Sequence, residues 1–224
     1  MVGFLSLGAS KLGYRLCGIR EIFWHDWQRR RMALDSDSVQ KSLGFVSIRH
    51  RPDQGYYGGY LLVNGNARPL EFHCTVPVQP TRAQSILFGP TLEEFLCGEQ
   101  IARALLSRAK LDPQVVLVDC AAALCARHWI DLPILWLKSL DKGGASELAE
   151  SQHGFETPEF QRIESQYVSG NLPGYSFTCL EAYRSDLEAL GWLTDSKMIE
   201  IELDEPFERI VEALSEAHPR AKAG

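Results

Sequence analysis

The chain has 224 residues, with 23 basic and 29 acidic residues and a formal net charge of −6 when histidine is neutral. Hydrophobic residues make up 45% and charged residues 23%, which is ordinary for a globular protein and excludes wholesale disorder or a coiled-coil rod. The negative charge gives no chain-wide attraction to polyanions, so we expect no strong nucleic-acid signal and no membrane span.

Residues 1–32 differ from the remainder in charge and predict a separate N-terminal arm. The first 31 residues hold six basic and two acidic side chains, whereas the rest of the chain is acidic. Either this arm is disordered or foreign to the native fold, or it is a basic amphipathic segment that docks on an acidic partner or a membrane surface. We predict one α/β domain over 33–217 and a frayed tail over 218–224.

The six cysteines are dispersed along the chain and form no CxxC pair. In a chain of this length, dispersed cysteines indicate reduced and mostly buried thiols rather than a secreted disulfide framework. We therefore expect a cytoplasmic location.

Three strands are predicted in succession, over 45–49, 56–63 and 70–76, with a hairpin turn at 64–66 between the last two. The two glycines at 58 and 59 indicate a bulge or a close approach of another backbone or side chain. Together these segments predict an antiparallel meander.

The remaining segments predict helices and buried strands. Thr91 and Glu94 have the spacing of a capping box and predict a helix over 91–110. The apolar run 115–118 and the segment 132–137 are typical of parallel strands buried on both faces, with a short helix over 120–129 between them. The predicted fold class is α/β with a mixed sheet, in the order β-β-β-α-β-α-β. It continues with helices over 156–168, 180–190 and 205–217 and an edge strand over 198–203.

A pair of carboxylates is the first candidate site. On a helical wheel of about 100° per residue, Glu99 falls near the apolar stripe of its predicted helix. Asp119 ends the strand that follows, and the rises per residue of helix and strand bring the two acids to a similar height. Two neighbouring carboxylates can hold Mg²⁺ or Mn²⁺, or perform acid–base chemistry.

The order of three antiparallel strands, a helix and a parallel strand ending in Asp119 resembles the ribonuclease H-like nuclease fold over residues 44–137. Endonuclease V-type enzymes are one branch of that fold. The resemblance implies two metal ions bound by an Asp on the first strand, a Glu on the first helix and an Asp at the end of the fourth strand. Glu99 and Asp119 match the last two, but the first strand, GFVSIRHR, contains no acid.

The second candidate is His73 with Glu71 and Thr75, since strict alternation places all three on one face of the third strand. If solvent covers that face, the row is an ordinary polar surface. If helices cover it, the buried row indicates a functional site, which Tyr56, Tyr57 and Tyr60 of the adjacent strand could complete.

The third candidate is the cluster Cys120, Cys125 and His128, which offers three of the four ligands that Zn²⁺ prefers. Buried free thiols and a nucleophilic cysteine activated by His128 are the alternatives.

The sequence contains no phosphate-binding GxxxxGK[ST], GxGxxG, GxSxG or HExxH motif. Because no complete catalytic set of residues emerges, our leading expectation is a soluble non-catalytic regulatory or protein-interaction module with a protein partner. The alternative is a metal-dependent nuclease-like enzyme that uses Glu99 and Asp119. A thiol or zinc site is the third possibility.

Overall fold

A computed structural model describes residues 41–140 and 166–219. The N-terminal arm predicted over 1–32, most of the helix predicted over 156–168 and the last residues of the chain lie outside the described residues.

The described residues form an α/β fold built on a mixed seven-stranded sheet, which confirms the predicted fold class. The strands lie in the order β3-β2-β1-β4-β5-β7-β6. Their bounds are β1 (Ser42–Arg51), β2 (Gly55–Asn64), β3 (Pro69–Cys74), β4 (Val115–Val118), β5 (Ile134–Ser139), β6 (Tyr167–Leu172) and β7 (Tyr175–Leu180).

Strand β1 lies between an antiparallel and a parallel neighbour. It pairs with β2 in antiparallel register and with β4 in parallel register, and Val46 pairs with Val118 at the carboxyl end of β4. Strand β5 continues the parallel part, while β7 and β6 add an antiparallel hairpin. The register places Asp119, the residue after β4, beside Ser47 of β1.

Several helices are shorter and more irregular than the sequence predicts. They are α1 (Arg82–Phe88), α2 (a π-helical segment Glu94–Ala102 continued by the α-helical Arg103–Leu106), an Ala-rich 3₁₀ helix (Ala121–His128), α3 (Ala189–Asp195), which follows a 3₁₀ segment (Glu181–Glu188), and α4 (Glu205–Ala217). Short 3₁₀ turns span Gly89–Thr91 and Met198–Glu200.

Two apolar layers cover the two faces of the sheet. On the α2 face, Val46 and Ile48 pack with residues of α2 such as Ile101. On the α4 face, Phe45 packs with α4, and its ring lies edge-on to Phe207 at 5.2 Å between centroids. The alternation of side chains along β1 therefore assigns even-numbered residues to the α2 face and odd-numbered residues to the α4 face.

The glycine pair in β2 allows both helices to approach the sheet. A Cβ on Gly58 would lie 2.2 Å from Cγ2 of Ile101, and a Cβ on Gly59 would lie 2.4 Å from Cγ2 of Ile210. Because neighbouring residues of a strand point to opposite faces, one glycine accommodates α2 and the other α4.

Several predicted elements differ in the structure. Thr91 is not an N-cap, because the backbone is already helical on both sides of it, and its hydroxyl donates to the carbonyl of Phe88. The capping box is formed instead by Thr81 and Gln84 at the start of α1. The edge strand predicted over 198–203 begins as a 3₁₀ turn, and the last two residues of the helix predicted over 156–168 belong to β6 instead.

Candidate functional site

Asp119 lies at the carboxyl end of β4 and contacts β1 through both carboxylate oxygens. Its Oδ2 accepts a hydrogen bond from the Ser47 hydroxyl at 2.8 Å and lies 2.7 Å from Nη1 of Arg49. Its Oδ1 lies 3.4 Å from the backbone nitrogen of Ile48, which donates to it. The carboxylate is therefore held by three consecutive residues of the neighbouring parallel strand.

The ion pair of Arg49 and Asp119 is buried. The Arg49 side chain is 0% exposed and that of Asp119 is 12% exposed. The same Nη1 also donates to the carbonyl of Ile48 at 2.9 Å. A charge this deep in the protein is stabilised only by a partner, so the guanidinium and the carboxylate each depend on the other.

Strand alternation assigns this pair to one face of the sheet. Ser47 and Arg49 share the face of Phe45, which α4 covers, whereas Ile48 points to the α2 face. The carboxylate of Asp119 contacts the side chains of Ser47 and Arg49 and so belongs with the α4 face. Helix α2, which carries the predicted partner acid, packs against the opposite face.

Glu99 has different surroundings from those of Asp119. It is half-buried on α2, and its charge helps to raise the pKa values of Glu94 and Cys125, although burial is the larger cause in both cases. These neighbours lie on α2 and the Ala-rich 3₁₀ helix, and none of them contacts Asp119 in the structure. The paired action of Glu99 and Asp119 stays a prediction without a supporting contact.

Glu93 directly precedes α2 and is linked through Cys97 to Cys120, the residue after Asp119. It accepts from the Tyr56 hydroxyl at 2.5 Å and from Sγ of Cys97 at 3.7 Å. Cys97 in turn shares a hydrogen bond with Cys120, the residue after Asp119. Burial, followed by the bond to Glu93, raises the pKa of Tyr56 well above its ordinary value.

The sequence does not reveal which acid near α2 makes these contacts. A helical wheel assumes regular α-helical winding, but residues Glu94–Ala102 are wound as a π-helix, in which more residues occupy each turn. The angular position assigned to Glu99 is therefore displaced. Glu93 carried no signal of its own, because its contacts depend on Tyr56 from a different element.

The metal ions that the resemblance implies do not fit the residues at this edge. The metal site needs carboxylates with oxygens open to Mg²⁺ or Mn²⁺. The oxygens of Asp119 already accept hydrogen bonds from Ser47 and Ile48 and pair with Arg49. Over 41–140 and 166–219, no three His, Cys, Asp or Glu side chains are grouped so that they could hold a metal ion. Strand β1 supplies the Ser47 hydroxyl and the Arg49 guanidinium, whereas the resemblance implies an acid on this strand.

His73 and Glu71 form a clamp between β3 and the end of α2. Nε2 of His73 lies 2.7 Å from Oε1 of Glu71, and this oxygen also accepts from the backbone nitrogen of Lys110 at 3.0 Å. The backbone nitrogen of Leu111 donates to Oε2 of Glu71 at 3.2 Å. Burial alone would raise the pKa of Glu71, but these hydrogen bonds outweigh it and hold the pKa below its ordinary value. Thr75 accepts from the backbone nitrogen of Gly58 at 3.0 Å. These contacts tie elements together, and a catalytic role for His73 stays a prediction.

The structure places two members of the thiol cluster on one pocket, while the third is buried beside a different cysteine. Cys120 is buried beside Cys97, whereas Cys125 and His128 line a pocket of about 420 Å³ together with Glu94 and Glu181. Nδ1 of His128 lies 3.1 Å from the Tyr183 hydroxyl. Burial, with a smaller effect of Glu94, raises the pKa of Cys125 to about 12. The thiolate needed for metal binding or nucleophilic attack is therefore scarce at neutral pH.

Helix α1 is exposed beside this end of α2. None of its residues is buried, and Ile86 and Leu87 are 71% and 82% exposed. The ring of Phe88 stacks on Phe95 of α2 with 4.0 Å between centroids. Upstream of α1, Val78 forms a backbone bridge to Tyr56, so α1 begins and ends close to the Tyr56–Glu93 contact.

Together these observations define an α/β protein whose element order resembles the ribonuclease H-like nucleases, with Asp119 at the position of their fourth-strand acid. Within the described residues, every helix is too short or too polar to cross a membrane. No family model matches the chain, and no curated protein matches it significantly.

Among solved structures, the chain is similar to endonuclease V of Ciona intestinalis in complex with a 23mer DNA that contains an inosine followed by a ribo-adenosine. The identity is 11%, the match covers 72% of this chain and 83% of that chain, and the TM-score is 0.31. A second Ciona intestinalis endonuclease V structure, with a 24mer DNA, gives 14% identity, coverage of 70% and 82%, and a TM-score of 0.33. The catalytic domain of human endonuclease V gives 12%, 72% and 82%, and 0.31.

At these identities and TM-scores the likeness carries no argument about activity. Two expectations are nevertheless corrected against these neighbours. The leading expectation of a non-catalytic regulatory or protein-interaction module is wrong, because the neighbours are endonucleases. The expectation of no strong nucleic-acid signal is also wrong, because two of the neighbours are DNA complexes. The nuclease-like alternative is the one that we develop.

Proposed function

We propose that this protein is a nuclease-like protein that binds a nucleic-acid strand at the carboxyl ends of β1 and β4. The observation that supports the proposal is the position of Asp119, which follows β4 and lies against the parallel strand β1. This is the position where the resembling nuclease fold places a metal-binding acid. Since divalent metal ions do not fit the residues present, the proposal concerns binding of the strand.

The Arg49–Asp119 pair favours the approach of a phosphate backbone. An unpaired carboxylate at the edge of the sheet would repel a polyanion, and nucleases overcome such repulsion with bound cations. Here Arg49 neutralises Asp119 from within the protein. The edge therefore presents a charge-balanced surface to phosphates.

Helix α1 supplies an exposed apolar surface on the segment that follows the backbone bridge between Val78 and Tyr56. Exposed aliphatic side chains can wedge between bases, and aromatic rings can stack on them. Ile86 and Leu87 have the exposure that such contacts require. We propose that they contact the bases while the phosphates follow the carboxyl ends of β1 and β4.

Binding of fluorescently labelled single-stranded DNA, duplex DNA and RNA, measured by anisotropy, tests the proposal. We expect saturable, salt-sensitive binding of at least one of these ligands. The double substitution Ile86→Ser/Leu87→Ser should weaken it about fivefold or more, because each base contact of this kind contributes ~1–3 kcal/mol.

The matched control is Leu140→Ser, which removes another exposed apolar side chain, 60% exposed, that follows β5. It should leave binding unchanged. Absence of saturable binding to all three ligands, or equal weakening by the control, would contradict the proposal.

We also propose a cytoplasmic location. Five cysteines of the described residues are free, and Cys97 and Cys120 lie within hydrogen-bonding distance without forming a disulfide, which suits a reducing compartment. Imaging of a tagged full-length chain would test this location.

A further inference from the structure

We infer that Arg49 is the built-in cation of this site and takes the place of a divalent metal ion at Asp119. The inference rests on the proposed function only where it concerns nucleic acid. Its structural part stands on the contacts of Arg49 and Asp119 alone.

The contacts of Asp119 are those expected of a carboxylate that binds a cation. Oδ2 is shared between Nη1 of Arg49 at 2.7 Å and the Ser47 hydroxyl at 2.8 Å. A hydroxyl oxygen beside a carboxylate oxygen is also a kind of ligand that Mg²⁺ or Mn²⁺ accepts once the guanidinium is removed, since both ions prefer oxygen ligands.

Arg49 is fixed at this position by β1, which pairs on one side with the antiparallel β2 and on the other with the parallel β4. Its side chain is fully buried and also bonds to the carbonyl of Ile48. The guanidinium of Arg49 is a cation and balances the negative charge of the Asp119 carboxylate. A metal ion that displaced Arg49 would break a 2.7 Å contact between a fully buried guanidinium and the Asp119 carboxylate, which is unfavourable.

A second buried pair provides a matched control. Nε of Arg127 lies 3.0 Å from Oδ2 of Asp186, with side chains 15% and 2% exposed. Oδ2 of Asp186 also accepts from the backbone nitrogen of Ile134 at 3.2 Å. This pair ties the Ala-rich 3₁₀ helix to the segment after β7, far along the sheet from β1.

The test measures the melting temperature of the full chain in EDTA and in about 10 mM Mg²⁺ or Mn²⁺. The wild type should show no metal-dependent shift. Arg49→Met removes the guanidinium and should make the protein responsive, with a rise of about 3–6 °C in Mn²⁺ for a site of roughly millimolar affinity.

Two further variants separate the inference from a merely structural ion pair. Arg127→Met also leaves a carboxylate without its cation, but it should stay insensitive to both ions, because Asp186 is enclosed. Arg49→Met/Asp119→Asn removes both charges, should fold more readily than the single variant, and should lose the response to Mn²⁺.

A metal-dependent rise in the wild type would overturn the inference, as would Mn²⁺-dependent cleavage of nucleic acid by the wild type. Equal responses of Arg49→Met and Arg127→Met, or no response of a folded Arg49→Met, would also overturn it. If Arg49→Met does not fold, Arg49→Gln replaces it under the same criteria.

The nucleic-acid part is tested by repeating the binding measurement in EDTA and in Mg²⁺. We expect affinities that agree within about twofold, since Arg49 already supplies the charge. A tenfold gain in Mg²⁺ would overturn the inference while leaving the proposed function standing. Complete absence of binding would overturn the proposed function, and the melting experiment would still decide the role of Arg49.

Discussion

Two buried arginine–aspartate pairs lie in two different regions of this molecule, and their surroundings differ more than their chemistry. Arg49 and Asp119 join two adjacent parallel strands at their carboxyl ends. Arg127 and Asp186 join a 3₁₀ helix to the segment that follows β7, and the guanidinium of Arg127 also lies 4.5 Å from the centroid of the Tyr183 ring. The first pair lies at the carboxyl end of β4, whereas the second connects elements farther along the sheet.

The comparison teaches that position in the fold, rather than residue type, distinguishes a candidate site from a structural contact. Asp119 is 12% exposed and Asp186 only 2%. Water or an ion can therefore reach the first carboxylate once its arginine is removed, while the second would remain enclosed. The predictions below test this difference and the packing that produces it.

The largest expected effect is that of Arg127→Met. It leaves Asp186 buried without its cation and should lower the free energy of unfolding by about 3–5 kcal/mol, measured by urea denaturation. Arg49→Met should cost less, because the exposed part of Asp119 can regain water. A loss at Arg49→Met equal to that at Arg127→Met would remove the distinction between the two regions. The control is Asp131→Asn, which removes the fully exposed acid 3.5 Å from Arg127 and should have no measurable effect.

The next effect concerns the close approach of helices to the sheet. Gly58→Ala would bring a Cβ to 2.2 Å from Ile101 and should cost about 1–3 kcal/mol through overpacking. Gly191→Ala is the matched control, because nothing lies within 4 Å of its Cβ position and it lies inside α3. That variant should be neutral or more stable by up to ~1 kcal/mol. Similar losses at both positions would show that α2 does not press on β2.

A smaller, pH-dependent effect is expected at the Glu71 clamp. Its pKa is lowered in the folded state, so its contribution is fully present above the ordinary value of 4.5 and is lost as pH falls through the lower folded value. Glu71→Gln should cost about 1–2 kcal/mol near neutral pH, and its difference from the wild type should shrink below about pH 4.5. A difference that is constant across this range would contradict the clamp.

The smallest effect is a difference in thiol reactivity. Burial raises the pKa of Cys125 to about 12 and that of Cys97 well above its ordinary value, and Cys74 is the more exposed cysteine. At about pH 8, alkylation followed by peptide mapping should modify Cys74 well before the other two. Early modification of Cys125 would restore the thiol hypothesis.

Most of the fold is readable from the sequence, because local patterns decide it. The apolar run Val115–Val118 is a strand with the predicted bounds, and α4 begins and ends where its amphipathic pattern predicts. The β6–β7 hairpin was not predicted, because Tyr167–Leu172 has little apolar alternation. This segment is a strand because it pairs with β7, which in turn pairs with β5.

The sequence singled out only one member of the Arg49–Asp119 pair. Asp119 was found because an acid after a buried strand is a local feature. Its partner was sought on α2, since an acid pair is the familiar pattern there. Arg49 carried no signal, because a basic residue on a strand normally indicates an exposed position.

The sequence by itself determined the α/β class, the position of β4 and the acid that follows it, since these depend on short-range periodicity. The tertiary structure alone decided which cation serves that acid, because Arg49 and Asp119 are far apart in the chain and meet only when β1 and β4 pair. It also decided the π-helical winding of α2, because this helix packs closely against β2 at Gly58, where there is no side chain.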